Sequence, residues 1–235
     1  MYLDLSDRNT VINAMVNRLT ADQRALMEKS EVEVQPAWFD NHELFIRSLV
    51  KGYYFQWKVA EALRAAGLKV EHDELKIRPN PTVSMYGKTD AAGLQERLKF
   101  WQSRDEYLKE PDLRVTPGGV LEIKSRDIEF SDVPGEYPFA TVIVDTVQGW
   151  DAKKPNTPLM QVTVSQQTGA VIATFGTKLV DGQRVPVSEI PDEWYRKEFY
   201  DNKRRIMDMN YICAREKFRP MEMFVEYLRK LQSKG

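Results

Sequence analysis

One short stretch carries residue types at a spacing that could do hydrolytic chemistry. It reads Pro111-Asp112-Leu113-Arg114-Val115-Thr116-Pro117-Gly118-Gly119-Val120-Leu121-Glu122-Ile123-Lys124. Side chains alternate between faces along a strand, so Val120, Glu122 and Lys124 share one face while Leu121 and Ile123 share the other. An acid and a lysine two apart in an otherwise apolar strand are costly on a buried face unless they are paired, and they become sensible if that face lines a metal site. Asp112 lies ten residues before Glu122. The Thr116-Pro117-Gly118-Gly119 turn cluster separates them, and an antiparallel hairpin would bring Asp112 beside Glu122. Two carboxylates with a lysine suit phosphodiester cleavage. Hard oxygen ligands hold Mg²⁺, with Mn²⁺ able to substitute. The metal acidifies a water and offsets charge on the phosphate. The lysine ammonium orients that water or stabilises the transition-state charge. Repulsion between Asp112 and Glu122 would be relieved by the metal, so metal binding should stabilise the fold.

The surrounding pattern supplies elements to position these groups. Ser6 could cap a first helix carrying Val11, Ile12, Met15 and Val16, and Thr20-Ala21-Asp22-Gln23 has the capping-box form for a second, running to about Lys29. A longer helix is expected from about Asn41 to Ala66, ending at Gly67, with Gly52 a point of interruption. Leu68 to Val70 and Leu75 to Ile77 alternate as strands do, and Ala91 to about Lys109 fits a helix. Short strands are expected at Leu113–Val115 and Gly119–Arg126. Ala140–Val147 reads as a central strand, because it is β-branched and mostly apolar. Gln161–Ser165 and Ala170–Phe175 flank Thr168-Gly169 as a hairpin. From Pro191 to the end the pattern reads as helical. This order suggests an α/β fold with a central mixed sheet flanked by helices.

With Pro111-Asp112 and Glu122-Ile123-Lys124 in a strand context, the chain resembles the PD-(D/E)xK nuclease superfamily. A second stretch, Gly52-Tyr53-Tyr54-Phe55-Gln56-Trp57-Lys58-Val59-Ala60-Glu61-Ala62-Leu63-Arg64-Ala65-Ala66-Gly67, resembles the helix that precedes the core sheet in Mrr-like members. The family's acidic position there falls on Gln56, which offers an oxygen but no charge. Glu61 is the rival. Helix spacing puts Gln56 among Gly52, Tyr53, Val59, Ala60 and Leu63, an apolar face, and Glu61 among Trp57, Lys58, Arg64 and Ala65. The face assignment favours Gln56.

The resemblance implies a restriction-endonuclease-like core over 41–180 with an insertion at about 73–110. It does not reach the two ends, where the residue pattern suggests a helical extension over 1–40 and a helical extension over 181–235 packed on the core. It implies a Mg²⁺-dependent DNA endonuclease of bacterial or phage origin, with catalytic Asp112, Glu122, Lys124 and Gln56. Asp112, Glu122 and Ile123 form the implied metal set. Such enzymes often cut duplexes as homodimers. The alternatives are a nuclease-fold module that binds nucleic acid or protein without cutting, and a structure-selective or RNA-cleaving enzyme.

Composition narrows the field. The 235 residues hold 34 Lys+Arg against 35 Asp+Glu, a net charge of −1, which argues against a generically cationic nucleic-acid coat. DNA affinity would have to come from a local groove and the metal. One cysteine, Cys213, and two histidines leave no cysteine- or histidine-rich metal centre, so an oxygen-ligated ion is the readiest choice. The start lacks the pattern of a signal peptide, and no apolar run approaches a membrane span, so a cytoplasmic protein with no membrane partner and no small-molecule cofactor is expected. Ser125 and Arg126 directly follow the lysine and could touch the scissile phosphate. Gln166, in Ser165-Gln166-Gln167, could reach bases, although a plain polar turn is the simpler reading. Gly87-Lys88-Thr89 lacks the glycine of a phosphate loop and reads as a turn. Lys203-Arg204-Arg205, diluted by nearby acids, reads as a solvated face.

Overall fold

The computed structural model describes residues 1–24, 42–72, 111–116, 118–154, 156–201 and 206–233. The expected strand at 75–77, the expected helix at 91–109, Gly87-Lys88-Thr89, Lys203-Arg204-Arg205 and the continuation of the second N-terminal helix beyond residue 24 lie outside them.

Helix α1 spans Arg8–Arg18 and helix α2 spans His42–Ala65, uninterrupted at Gly52. Along α2, Ile46, Val50, Tyr54, Phe55, Val59, Ala60 and Leu63 are buried at near-helical spacing, giving one apolar stripe. Asp7 fastens the two helices, accepting hydrogen bonds from Tyr54 Oη at 2.7 Å and Lys58 Nζ at 2.9 Å.

The stripe covers a six-stranded sheet built from β1 (Val70–Glu71), β2 (Leu113–Val115), β3 (Gly119–Arg126), β5 (Met160–Ser165), β6 (Val171–Phe175) and β11 (Arg219–Pro220), in that spatial order. β3 and β5 pair in parallel and every other neighbouring pair is antiparallel, so the sheet is mixed. The expected β5–β6 hairpin is present. Leu121, Ile123, Met160, Val162, Val164, Val171 and Ala173 turn toward the helices and form one core with Ile12, Val16 and the α2 stripe. Helix α4 (Met221–Gln232) adds Phe224, Val225 and Leu228 to that core.

Two expectations about strands are corrected. β4 (Thr141–Thr146) is not central in the main sheet. It lies at the edge of a second, three-stranded sheet of order β4-β10-β9, with β10 at Ile206–Ala214 and β9 at Tyr195–Asp201. Only Val142 and Val144 in its apolar run are fully enclosed, together with the carboxylate-bearing Asp145, so the strand is buried on one side. The region after Pro191 is not helical throughout either. β9 and β10 form an antiparallel pair, and among the described residues α4 is the only helix longer than one turn that follows. Aromatic and β-branched residues in β9 and β10 favour extended backbone, and packing of Tyr211 and Cys213 into a second core fixes it. That core also contains Trp150, Ile172, Trp194 and Phe218 and lies against the main sheet's other face. Helix α3 (Val147–Asp151) follows β4 directly, while β7 (Thr177–Val180) and β8 (Gln183–Pro186) form a separate hairpin. Among the described residues no helix is long and apolar enough to cross a membrane.

Candidate active site

The β2–β3 hairpin pairs Leu113 with Leu121, Arg114 with Val120 and Val115 with Gly119. Continuing that register sets Asp112 opposite Glu122. Gly119, at φ +120°, supplies the turn conformation that this tight return requires. Glu122 and Lys124 occupy the sheet face turned away from α1 and α2, as strand alternation predicted.

Both oxygens of Asp112 are engaged. Gln56 Nε2 donates to Oδ1 at 2.7 Å, and the backbone N–H of Ile123 donates to Oδ2 at 2.7 Å. Thus α2 does deliver Gln56 to the hairpin, while Glu61 stays exposed on the opposite side of the helix. Lys124 Nζ donates to Glu122 Oε1 at 2.7 Å. The four expected residues Gln56, Asp112, Glu122 and Lys124 therefore come together although they span three elements.

Two further residues complete the cluster. Asp145, near the end of β4, binds Lys124 through Oδ1 at 3.2 Å and Lys153 through Oδ2 at 3.2 Å. Lys153, just after α3, also reaches Glu122 Oε1 at 3.4 Å and donates to the Gly149 carbonyl at 2.9 Å. A Cβ at Gly149 would lie 2.7 Å from Thr146 Oγ1 and 3.4 Å from Asp145 Oδ1, so glycine lets the α3 backbone lie close against this carboxylate. Sequence reasoning missed both residues. A lone carboxylate in the apolar run Val142-Ile143-Val144-Asp145 is the kind of signal that singled out Glu122. Lys153, in Asp151-Ala152-Lys153-Lys154, has no local signal at all.

The electrostatics follow from burial. The Asp112 carboxyl is pushed up to about 8, first by desolvation and then by the neighbouring Glu122. Burial alone would lower the Lys124 ammonium, but Glu122, Asp145 and Asp112 outweigh it and hold the group above its ordinary value. Burial would raise Asp145, but Lys124 and Lys153 hold it below its ordinary value.

The remaining expected contacts are placed unevenly. Gln166 Nε2 donates to Ser125 Oγ at 3.1 Å, so these two meet at the end of β3 beside Lys124. Arg126 turns inward instead, with Nη2 donating to the Ile143 carbonyl at 3.0 Å, and it ties β3 to β4.

The donor set suits a hard divalent cation. Glu122 Oε2 is buried and lacks a hydrogen-bond partner, and Asp112 and Glu122 face each other at a mutual electrostatic cost. Among the described residues no three His, Cys, Asp or Glu side chains are gathered as a metal group, so the fit rests on Asp112 and Glu122. No family model, curated protein or solved structure matches the chain.

Proposed function

We propose that the chain is a metal-dependent DNA endonuclease with a restriction-endonuclease-like core, hydrolysing phosphodiester bonds at the Asp112–Glu122–Lys124 cluster. The observation that carries this reading is the convergence of Gln56, Asp112, Glu122 and Lys124, residues of three separate elements, at one site. Asp112, Glu122 and the backbone of Ile123 hold Mg²⁺ or Mn²⁺. The bound ion supplies an acidified water and offsets charge on the phosphate.

The chain's own groups do the rest. Lys124 has two carboxylate partners for three N–H donors and its side chain is 29% exposed, so one donor is left to orient the water or meet the phosphate oxygens. Gln56 holds Asp112 in its rotamer. Ser125 and Gln166 border the same strand ends and contact the substrate backbone. A homodimer would set one such site on each strand of a duplex.

A second reading is a nuclease-fold module that binds nucleic acid or protein without cutting. It is favoured by the neutral Gln56 and by the two lysines that already offset Glu122 and Asp145. Plasmid, single-stranded, branched and RNA substrates incubated with Mg²⁺ or Mn²⁺, beside Asp112→Ala and Lys124→Ala, separate the readings. Cleavage lost in both variants supports the nuclease. Cleavage that survives both removes this site assignment, and tight binding with no cleavage of any substrate supports the module.

A further inference from the structure

We propose that Asp145 and Lys153 form a buried positioning pair that gives the two oxygens of Glu122 different tasks: Oε1 is held by the lysines, and Oε2 is the atom presented to the divalent cation. This rests on the nuclease reading above. The two lysines differ in kind. Lys153 is 4% exposed, and its ammonium donates hydrogen bonds to Asp145 Oδ2 and the Gly149 carbonyl and forms an ion pair with Glu122 Oε1 at 3.4 Å, so it is enclosed by acceptors of the protein. It has no donor to spare for a substrate. Lys124 is the more open of the two and keeps one donor free.

Asp145 links them, one oxygen to each lysine, and its Oδ1 also accepts the Thr146 N–H at 2.8 Å, which fixes the carboxylate plane. Both ammonium groups therefore converge on a single oxygen of Glu122. Its other oxygen is buried and without a partner, a costly state that a cation would relieve. Glu122 and Asp145 match Lys124 and Lys153 in charge, and Asp112, when ionised, adds the one negative charge that the lysines leave uncancelled. Changing either member of the pair shifts that balance in opposite directions.

The opposite signs give the test. Mn²⁺ affinity of the full chain is measured calorimetrically without nucleic acid, and kcat and KM are measured on plasmid. Lys153→Met removes a competing cation, so Mn²⁺ should bind about tenfold tighter, while kcat falls about tenfold or more with KM little changed because Glu122 and Lys124 are no longer held. Asp145→Asn, which keeps the shape, should weaken Mn²⁺ binding about tenfold and also lower kcat. The double variant should return to near wild-type affinity with kcat still low. If Lys153→Met does not fold, the isosteric Asp145→Asn decides alone, and unchanged Mn²⁺ affinity in it overturns the proposal. Loss of affinity in both single variants, or no change in either, also overturns it and leaves the nuclease reading standing. A wild-type chain that binds Mn²⁺ but cuts nothing removes the nuclease reading, and the affinities then judge the pair by themselves. A wild-type chain that binds no Mn²⁺ overturns both.

Discussion

Gln56 and Asp112 are joined by a 2.7 Å hydrogen bond in which the amide donates and the carboxylate accepts. This bond connects the long helix α2 to the β2–β3 hairpin. It also means that the helix contributes a neutral donor where an acid would contribute repulsion. Gln56→Glu should therefore destabilise the metal-free chain, because a third carboxylate would face Asp112 and Glu122 without a donor between them. The same variant should gain more from the ion. Thermal melts with and without Mg²⁺ check this: the metal-free Tm should fall by several degrees, and the Mg²⁺-induced rise should exceed that of the wild type. Equal Mg²⁺ shifts in the two proteins would remove Gln56 from the site.

Asp112 also sets a pH dependence. Its carboxyl has an ordinary value of 3.8 and is pushed up to about 8 in the folded chain. Between those values the folded state holds a proton that the unfolded state has released. The corresponding stability is fully present below 3.8 and is lost as pH rises through about 8. Asp145 has the opposite sign: its carboxyl is held low by Lys124 and Lys153, so its stability is lost as pH falls below the ordinary carboxylate range. Metal-free Tm should thus decline from about pH 5 to about pH 8 and level off above it. Asp112→Asn should flatten that limb, and saturating Mg²⁺ should do so in the wild type. A decline that persists unchanged in Asp112→Asn would assign it to another group.

Lys124 offers a sharper test of chemistry than of stability. Its ammonium is partly exposed and retains a free donor, so Lys124→Met should lower kcat by at least about a hundredfold if that donor stabilises the transition state. Mn²⁺ affinity should not fall, because a cation leaves the site and both carboxylates stay. Single-turnover cleavage and calorimetry on the same preparation separate the two effects. Wild-type kcat in this variant would move the catalytic role elsewhere.

The parts of the site that were legible in the sequence are those whose partners are local. Asp112 and Glu122 are bridged by a turn whose Pro and Gly residues announce a hairpin, and the period of two puts Glu122 and Lys124 on one face without any tertiary knowledge. Gln56 was legible through the resemblance of its helix to the family's, and the helical period separated its apolar neighbours from those of the rival Glu61. Asp145 stood out only as a lone carboxylate in an apolar run, and Lys153 not at all, because the partners of both depend on a second sheet folding over the first. That sheet pairs β4 with β10, some 65 positions later, at Tyr211 with Asp145 and Asn210 with Thr146. No local pattern encodes such a pairing. The C-terminal strands were missed for a related reason. β9 is mixed in charge and aromatic content, and in β10 the local alternation misleads, because Met209 is exposed and Asn210 is buried.

The β5–β6 turn carries the last prediction, which concerns the fold alone. Gly169 has φ +76°, and a Cβ there would lie 2.3 Å from the Leu3 carbonyl oxygen. The close approach is functional for packing: the Leu3 N–H donates to the Gly169 carbonyl at 2.8 Å, and Val171 N–H donates to the Met1 carbonyl at 2.9 Å, which lays the N-terminal segment along the sheet. Gly169→Ala would meet both a left-handed backbone and a backbone clash, and should cost about 3 kcal/mol or more. Gly182, in the β7–β8 turn, has a similar φ of +78° but nothing within 4 Å of an added Cβ. Gly182→Ala meets only the backbone term and should cost about 1 kcal/mol. Urea unfolding of the two variants measures the difference, with m-values unchanged if both remain two-state. Equal losses would mean that the N-terminal segment yields to the methyl group, and that its docking on the turn contributes little to stability.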